Sequence, residues 1–358
     1  MENDLQLYGL TDCIEQEAAL YGELFLARVT EQHRTIYKVI SGLGEVNAVV
    51  AGKLAYQANG QISYPAVGDW VMLDRGDGEE GNAVIRHILS RKSVLARQAA
   101  GAAAAQQVIA ANIDVIFICM SLNADFNLRR IERYLAMAWN SGAAPVIVLT
   151  KADLCNDLPQ KLGDIAAVGI GVDIIACSSE NGYGYEAIHS HIGPGKTIAF
   201  IGSSGVGKST LINRLLGREL LATGEIRLDD DKGRHTTSHR QLLLLPEGGI
   251  VIDTPGMREL QLYTGDLART FADIEELAAR CKYRDCSHGS EPGCAIKAAI
   301  ASGALSAKRF ESYQKLQRET SYDGLNARQL ETEKINRMFG GKNEMKQMLR
   351  QFKEKNRR

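Results

Sequence analysis

No apolar run in the sequence approaches the ~20 residues that cross a bilayer, so a membrane-spanning helix is not expected. The opening MENDLQLYGL carries acidic side chains and no basic one, unlike the start of a secretory signal. There is no excess charge of one sign either. The 42 Lys and Arg meet 43 Asp and Glu, and the net charge of −1 announces no nucleic-acid or membrane partner. An even cysteine count is missing as well. Seven cysteines without an export signal argue against a disulfide framework and for the cytoplasm. No internal repeat is visible.

What is present is a soluble globular composition, 45% apolar and 24% charged, in a chain of 358 residues, enough for two or three domains. Charge is locally uneven. From Glu331 to Arg358 the basic residues outnumber the acidic ones, which suits either a solvated helical tail or a nucleic-acid contact.

The first hundred residues hold short strand-like runs, LFLARV, TIYKVIS, VNAVVAGKLAY, DWVMLD and AVIRHIL, separated by Gly, Asn and Pro. Five such strands predict a small closed barrel of OB or SH3-like type. The stretch AAGAAAAQQ (Ala99–Gln107) follows as a linker or the start of a helix. From Ile109 buried-strand runs (DVIFICM, PVIVLT, GVDIIACSS, KTIAFIG, QLLLLP and GIVIDTPG) alternate with helix-length segments near Leu128–Asn140 and Tyr185–His191 and from Lys208. That rhythm predicts a mostly parallel sheet covered on both faces, with ligands at the carboxyl ends of its strands. After Leu262 the sequence is helical in character. The expected division is a barrel over 1–98, an α/β domain over 99–265 and a helical domain over 266–358.

Gly202-Ser203-Ser204-Gly205-Val206-Gly207-Lys208-Ser209-Thr210 follows a strand and opens a helix, the context that a phosphate-binding loop requires. Its glycines let backbone N–H groups close around phosphate oxygens. Lys208 reaches the β- and γ-phosphates, and Ser209 offers a hydroxyl to Mg²⁺. Thr150-Lys151-x-Asp153 chooses the base. Guanine presents two donors to a carboxylate, whereas adenine would set a lone pair against it. The next strand ends in Cys177-Ser178-Ser179, where a serine N–H can meet guanine O6. Further on come GRHTTS (Gly233–Ser238) and Asp253-Thr254-Pro255-Gly256, which read as two switch segments. The order is base, base, phosphate, switch, switch. A conventional GTPase runs phosphate, switch, switch, base, base, so this is a cyclic rotation, tolerated where the original termini lie close together.

TKAD, GSSGVGKST, GRHTT, DTPG and the EPGC knot below resemble the ribosome small-subunit-dependent GTPase A family over nearly the whole chain. The resemblance implies an OB-type barrel, a circularly permuted P-loop GTPase domain and a helical zinc-binding domain with a basic tail. It also implies a GTP phosphohydrolase stimulated by the small ribosomal subunit and its rRNA, hydrolysis being coupled to release, in a monomer. Met257 stands where conventional GTPases keep a water-positioning Gln. The nearest substitute is His235, which resembles the family's proposed water-positioning histidine. Thr237, or else Thr236, supplies the Mg²⁺ hydroxyl of the first switch, and Asp253 holds Mg²⁺ through water. Arg234 is a weak candidate for an arginine finger.

Cys281-x4-Cys286-x-His288-x5-Cys294 supplies three thiolates and an imidazole, a closed tetrahedral set for one structural Zn²⁺. Because the chain runs from DTPG directly into this knot, nucleotide state is expected to reach the zinc domain through that switch. Arg34, Tyr37, Lys38, Lys53, Arg284 and the basic tail are candidate RNA contacts. Two other readings compete: a nucleotide-gated RNA-binding module in which hydrolysis is incidental, and an adenine-specific kinase, which Asp153 disfavours.

Overall fold

The computed structural model describes residues 4–33, 35–57, 64–78, 81–98, 106–123, 125–221, 240–254, 266–320 and 344. Arg34, Arg234, His235, Thr236, Thr237, Gly256, Met257, the side chain of Lys53 and the tail apart from Glu344 lie outside the described residues.

Helix α1 (Asp12–Ala19) precedes strands β1 (Phe25–Gln32), β2 (Tyr37–Ser41) and β3 (Gly44–Val50), helix α2 (Gly52–Gln57), and strands β4 (Trp70–Leu73) and β5 (Ala83–Ile88). The strands run in the order β1-β2-β3-β5-β4, and β4 pairs back onto β1, so the barrel is closed. Alternate residues Ala27, Val29, Val39, Val46, Ala48, Val71, Leu73 and Ile85 fill it. The opposite face of β4 is capped by α1, whose Ile14 and Ala18 pack on Trp70 and Met72. The run VNAVVAGKLAY ends as strand at Val50 and continues as α2. Gly52 breaks the strand, and Lys, Leu and Ala beyond it favour helix. Tyr37 is not on the surface as the sequence reading has it. It is 4% exposed, because its place on β2 turns it into the barrel core. Lys38 lies on the outward side and is paired with Glu31 and Glu45.

Strands β6 (Val94–Gln98) and β7 (Gln106–Ala111) form an antiparallel pair, so Gln106 and Gln107 of the expected linker are already strand. The α/β unit follows: β8 (Val115–Ser121), α3 (Leu128–Ser141), β9 (Ala144–Thr150), α4 (Leu158–Ala166), β10 (Asp173–Ala176), α5 (Tyr185–His189), β11 (Thr197–Ile201), α6 (Lys208–Leu216), β12 (Arg240–Leu244) and β13 (Ile250–Asp253). The sheet runs β10-β9-β8-β11-β13-β12, parallel except for β12. Every residue of β8 is buried, because helices cover both faces. Ile116, Ile118 and Met120 face α3, while Phe117 and Cys119 face the α6 side.

Helices α7 (Leu267–Thr270), α8 (Ala272–Ala279), α9 (Ala295–Ala301) and α10 (Ala307–Thr320) complete the described chain. Their Phe271, Ile274, Phe310, Tyr313 and Leu316 join the same hydrophobic cluster as Ile131 and Leu135 of α3. The C-terminal region therefore has a core, shared with the α/β unit, in addition to whatever a metal contributes. Arg309 of α10 reinforces the junction. It is 4% exposed, with Nη1 donating to Glu132 of α3 at 2.8 Å, Nη2 and Nε donating to Asp273 at 2.7 and 2.8 Å, and Thr270 O accepting at 3.1 Å. Arg133 adds a two-pronged bond to Glu319 at 2.6 and 2.8 Å.

The barrel and the α/β sheet are one hydrogen-bonded sheet. A register shift between Val29 and Glu31 bends β1. Phe25–Arg28 pair with β4 before the bend, and beyond it Glu31 and Gln32 pair with Gln241 and Arg240 of β12. Arg28 secures the same junction from within. Its Nη2 donates to Thr197 Oγ1 at 2.9 Å and its Nε to Gly68 O at 3.2 Å, and Tyr8 O also accepts from it. Burial lowers its pKa to about 10, against the pull of Asp114 and Asp69.

Candidate nucleotide site and metal centre

Three parallel strands deliver the sequence motifs to one edge of the sheet. Strand β9 ends in Thr150, β10 leads into Ser178 and Ser179, and β11 leads into the glycine-rich loop, with Asp253 ending the neighbouring β13.

The glycine-rich loop needs its glycines. Gly202 has φ +149°, and a Cβ there would lie 2.4 Å from Cys119 O. Gly207, at φ +94°, turns the chain into α6. Lys208 folds back over the loop, its Nζ donating to Gly202 O at 2.8 Å and Ser203 O at 2.6 Å. Burial lowers its pKa, while Cys119 and Asp253 pull it back up. Burial likewise raises the pKa of Asp253, against Lys208 and the Thr254 N–H. Both groups are driven toward neutrality, the state that an anion and a cation arriving together would reverse. Ser204, Gly205 and Thr210 are exposed at the mouth of the loop, Val206 is buried beneath it, and Ser209 is half-buried on the first turn of α6.

The loops after β9 and β10 are tied to each other and to the glycine-rich loop. Thr150 is 5% exposed and its hydroxyl donates to Val206 O. Lys151 follows in the left-handed region at φ +59° and ψ +40°. Asp153 is exposed, with one carboxylate oxygen accepting from Ser178 Oγ. Ala152 N–H donates to Cys177 O at 3.1 Å, joining the two loops through backbone. Ser178 N–H is committed to Tyr183 O at 3.0 Å, and Ser179 Oγ bonds Tyr185 OH at 3.0 Å. Arg214 of α6 braces this loop, its guanidinium 4.6 Å from the centre of the Tyr185 ring and donating to Ser179 O.

Sequence reasoning passed over Arg130. This α3 residue donates to Ser203 Oγ at 2.8 Å while both oxygens of Asp125 hold its Nη1 at 2.8 Å. Tyr134, one helical turn on, is largely buried, and burial raises its pKa against the pull of Ser203 and Arg130. Nothing in the local pattern LRRIERYL marks it, because the partner loop lies over seventy residues away.

The Cys/His knot is assembled. One ligand atom each from Cys281, Cys286, His288 and Cys294 lies within 4.8 Å of all the others. His288 Nδ1 is 3.6 Å from the sulfurs of both Cys281 and Cys294, and those sulfurs are 4.0 Å apart. Sulfur separations near 4 Å suit a tetrahedral Zn²⁺ with ~2.3 Å bonds. His288 takes a left-handed backbone, φ +59°, to reach inward, and its ring meets the edge of Phe310 of α10.

Residues 88–263 match the RsgA GTPase family. The chain is 56% identical to "Small ribosomal subunit biogenesis GTPase RsgA 2" of Lactiplantibacillus plantarum over 98% of this chain and 99% of that protein. Among solved structures, YjeQ from Thermotoga maritima superposes with a TM-score of 0.59 at 26% identity, covering 83% of this chain and 98% of that one. YloQ, described as a circularly permuted GTPase, gives a TM-score of 0.57 at 25% identity over 84% of this chain and 96% of that one.

Proposed function

The chain belongs to the RsgA GTPase family, and from that premise we propose that it hydrolyses GTP while bound to the small ribosomal subunit during its late maturation, hydrolysis being coupled to release. The observation that carries this is the convergence of Asp153, Ser178–Ser179 and the Gly202–Thr210 loop at one sheet edge, in rotated chain order.

In this reading the exposed Asp153 accepts from guanine N1–H and the 2-amino group. Ser178, whose N–H is taken by Tyr183, orients that carboxylate through its hydroxyl. The N–H offered to guanine O6 is then that of Ser179, which Arg214 and Tyr185 hold in place. Thr150 acts by bolting its loop to Val206 O. Lys151 covers the ring face with its stem. The N–H groups of Ser203–Ser209 and Lys208 take the phosphates, and Ser209 with water-bridged Asp253 takes Mg²⁺. The roles of Gly256, Thr237 as Mg²⁺ ligand and His235 as water-positioning residue are carried by the family resemblance. Mg²⁺ supplies charge neutralisation at the phosphates when bound. The four Cys/His ligands suit one structural Zn²⁺, all positions being filled by protein.

The rRNA contacts assigned here are the barrel, Arg284 and the basic tail. Their phosphate contacts make binding weaken with salt. Among the described residues, no helix is long and apolar enough to cross a membrane.

The deciding experiment is GTPase activity with and without purified small subunits. Stimulation by the subunit, with competition by GDP but not ADP, is the expected result. GTP binding with no stimulated turnover, in a protein that still binds the subunit, would favour the nucleotide-gated RNA-binding module.

A further inference from the structure

Helix α3 touches the phosphate loop with one face and the C-terminal domain with another. Residues 130 and 134 are one turn apart and share a face. That face holds Ser203 through Arg130, at 2.8 Å. Arg129, Glu132 and Arg133 are displaced around the helix axis. Glu132 is fully buried and accepts from Arg129 and Arg309, while Arg133 meets Glu319. Further along, Arg269 of α7 stacks 3.8 Å from the centre of the Trp139 ring. Ser203 in turn is one of the two residues whose carbonyls hold Lys208. Two sets of polar contacts, one from α10 to α3 and one from α3 to the loop that holds Lys208, are thus joined by the body of α3.

We propose that Arg130 is a positioning residue for the nucleotide reaction: anchored by Asp125, it sets the phosphate loop through the Ser203 hydroxyl and makes that loop responsive to how α10 grips α3. This rests on the nucleotide-binding reading above and adds a second route, besides the segment after β13, between nucleotide and C-terminal domain. The physical basis is that α3 is a rigid element gripped on two faces. Both Asp125 oxygens hold Arg130 Nη1, the same nitrogen that reaches Ser203 Oγ, so a shift of the helix alters the geometry of this three-way contact.

The test is a double-mutant cycle on the full-length, zinc-loaded protein, read by titration with a fluorescent GDP derivative. Glu319→Ala loosens the α3–α10 contact far from the nucleotide and is expected to weaken binding about threefold, and Arg130→Ala about tenfold. The double variant is expected to bind no more weakly than Arg130→Ala alone, because the route is already cut. In turnover with small subunits, Arg130→Ala should lower kcat as well as raise KM, and Arg130→Lys should restore part of the affinity. A side chain that merely props up the fold would lower Tm and leave the two effects additive. Additive losses, or unchanged GDP affinity in Arg130→Ala, overturn the proposal. If Arg130→Ala does not fold, Asp125→Asn keeps the arginine but frees it from its anchor, and the same cycle with Glu319→Ala decides in the same terms. Failure of the wild-type protein to bind GDP would sink the GTPase reading itself, a result distinct from either outcome of the cycle.

Discussion

Asp153 is exposed and yet already held by the Ser178 hydroxyl, so under the proposed reading its geometry is set before a base arrives. Asp153→Asn replaces a charged acceptor by an amide that can donate. GDP binding should fall by about 1.5–3 kcal/mol, and xanthosine diphosphate, which offers an oxygen where guanine has an amino group, should gain. Competition titrations with the two diphosphates check this. Thr150→Val removes the hydroxyl bonded to Val206 O and keeps the shape. About 1 kcal/mol of stability should go with it, readable as a lower urea midpoint without nucleotide. At Asp253 the sign runs the other way. Burial raises its folded pKa above the unfolded value, against Lys208. The site therefore loses stability as pH rises through that folded pKa, and an uncharged side chain is spared the loss. Asp253→Asn should raise Tm of the empty protein at pH 7 while weakening Mg²⁺-dependent GDP binding, which calorimetry with and without Mg²⁺ would separate. The motifs themselves were legible in the sequence because their spacing is local. Thr150 shows the limit: its type fitted the base motif, but its bond to another loop depends on where β9 and β11 lie in the sheet.

At the level of elements, α3 and the Cys/His knot divide the labour of holding the C-terminal helices. The knot closes a fourteen-residue stretch and touches the shared cluster through Cys294 and through His288 on Phe310, while Phe271, Tyr313 and Leu316 pack in the same cluster as α3's Ile131 and Leu135. Chelation of zinc should therefore unfold the segment around Cys281–Cys294, where metal binding supplies ~10 kcal/mol in small zinc modules, and spare the packing of α10. Limited proteolysis would then cut within that segment, while GDP affinity stays within about twofold. Breaking the Arg309 network is a different injury. Arg309→Ala leaves Glu132 buried with no partner on α10, and the destabilisation should be about 3–5 kcal/mol, measured by denaturant unfolding. Elements with a strong pattern, such as the buried strands and α6, could be read in advance. Helices α1 and α4 were missed. Each is short, and each buries its apolar side only against a neighbour assembled from distant sequence, as Ile14 does on Trp70.

Across the whole molecule, the ladder between β1 and β12 decides what a truncation would do. Removal of the barrel leaves β12 as an edge strand with its outer N–H and C=O groups bare, and such edges template aggregation. A chain lacking the barrel should be less soluble and less stable than its α/β core implies, which light scattering against the full-length protein would reveal. The three-part organisation and the rotated motif order were legible because each part has its own periodicity. The continuity of the parts was not, since strand pairing between domains and a buried Arg28–Thr197 contact leave no trace in local sequence. The same ladder sets a timetable for birth. Gln32 leaves the ribosome that makes it more than two hundred residues before Arg240, its partner. At ordinary elongation rates that is a wait of about ten to forty seconds. The nascent barrel, already closed on itself through β4, spends that interval displaying two unpaired backbone positions, and β12 is received by a finished template when translation reaches it.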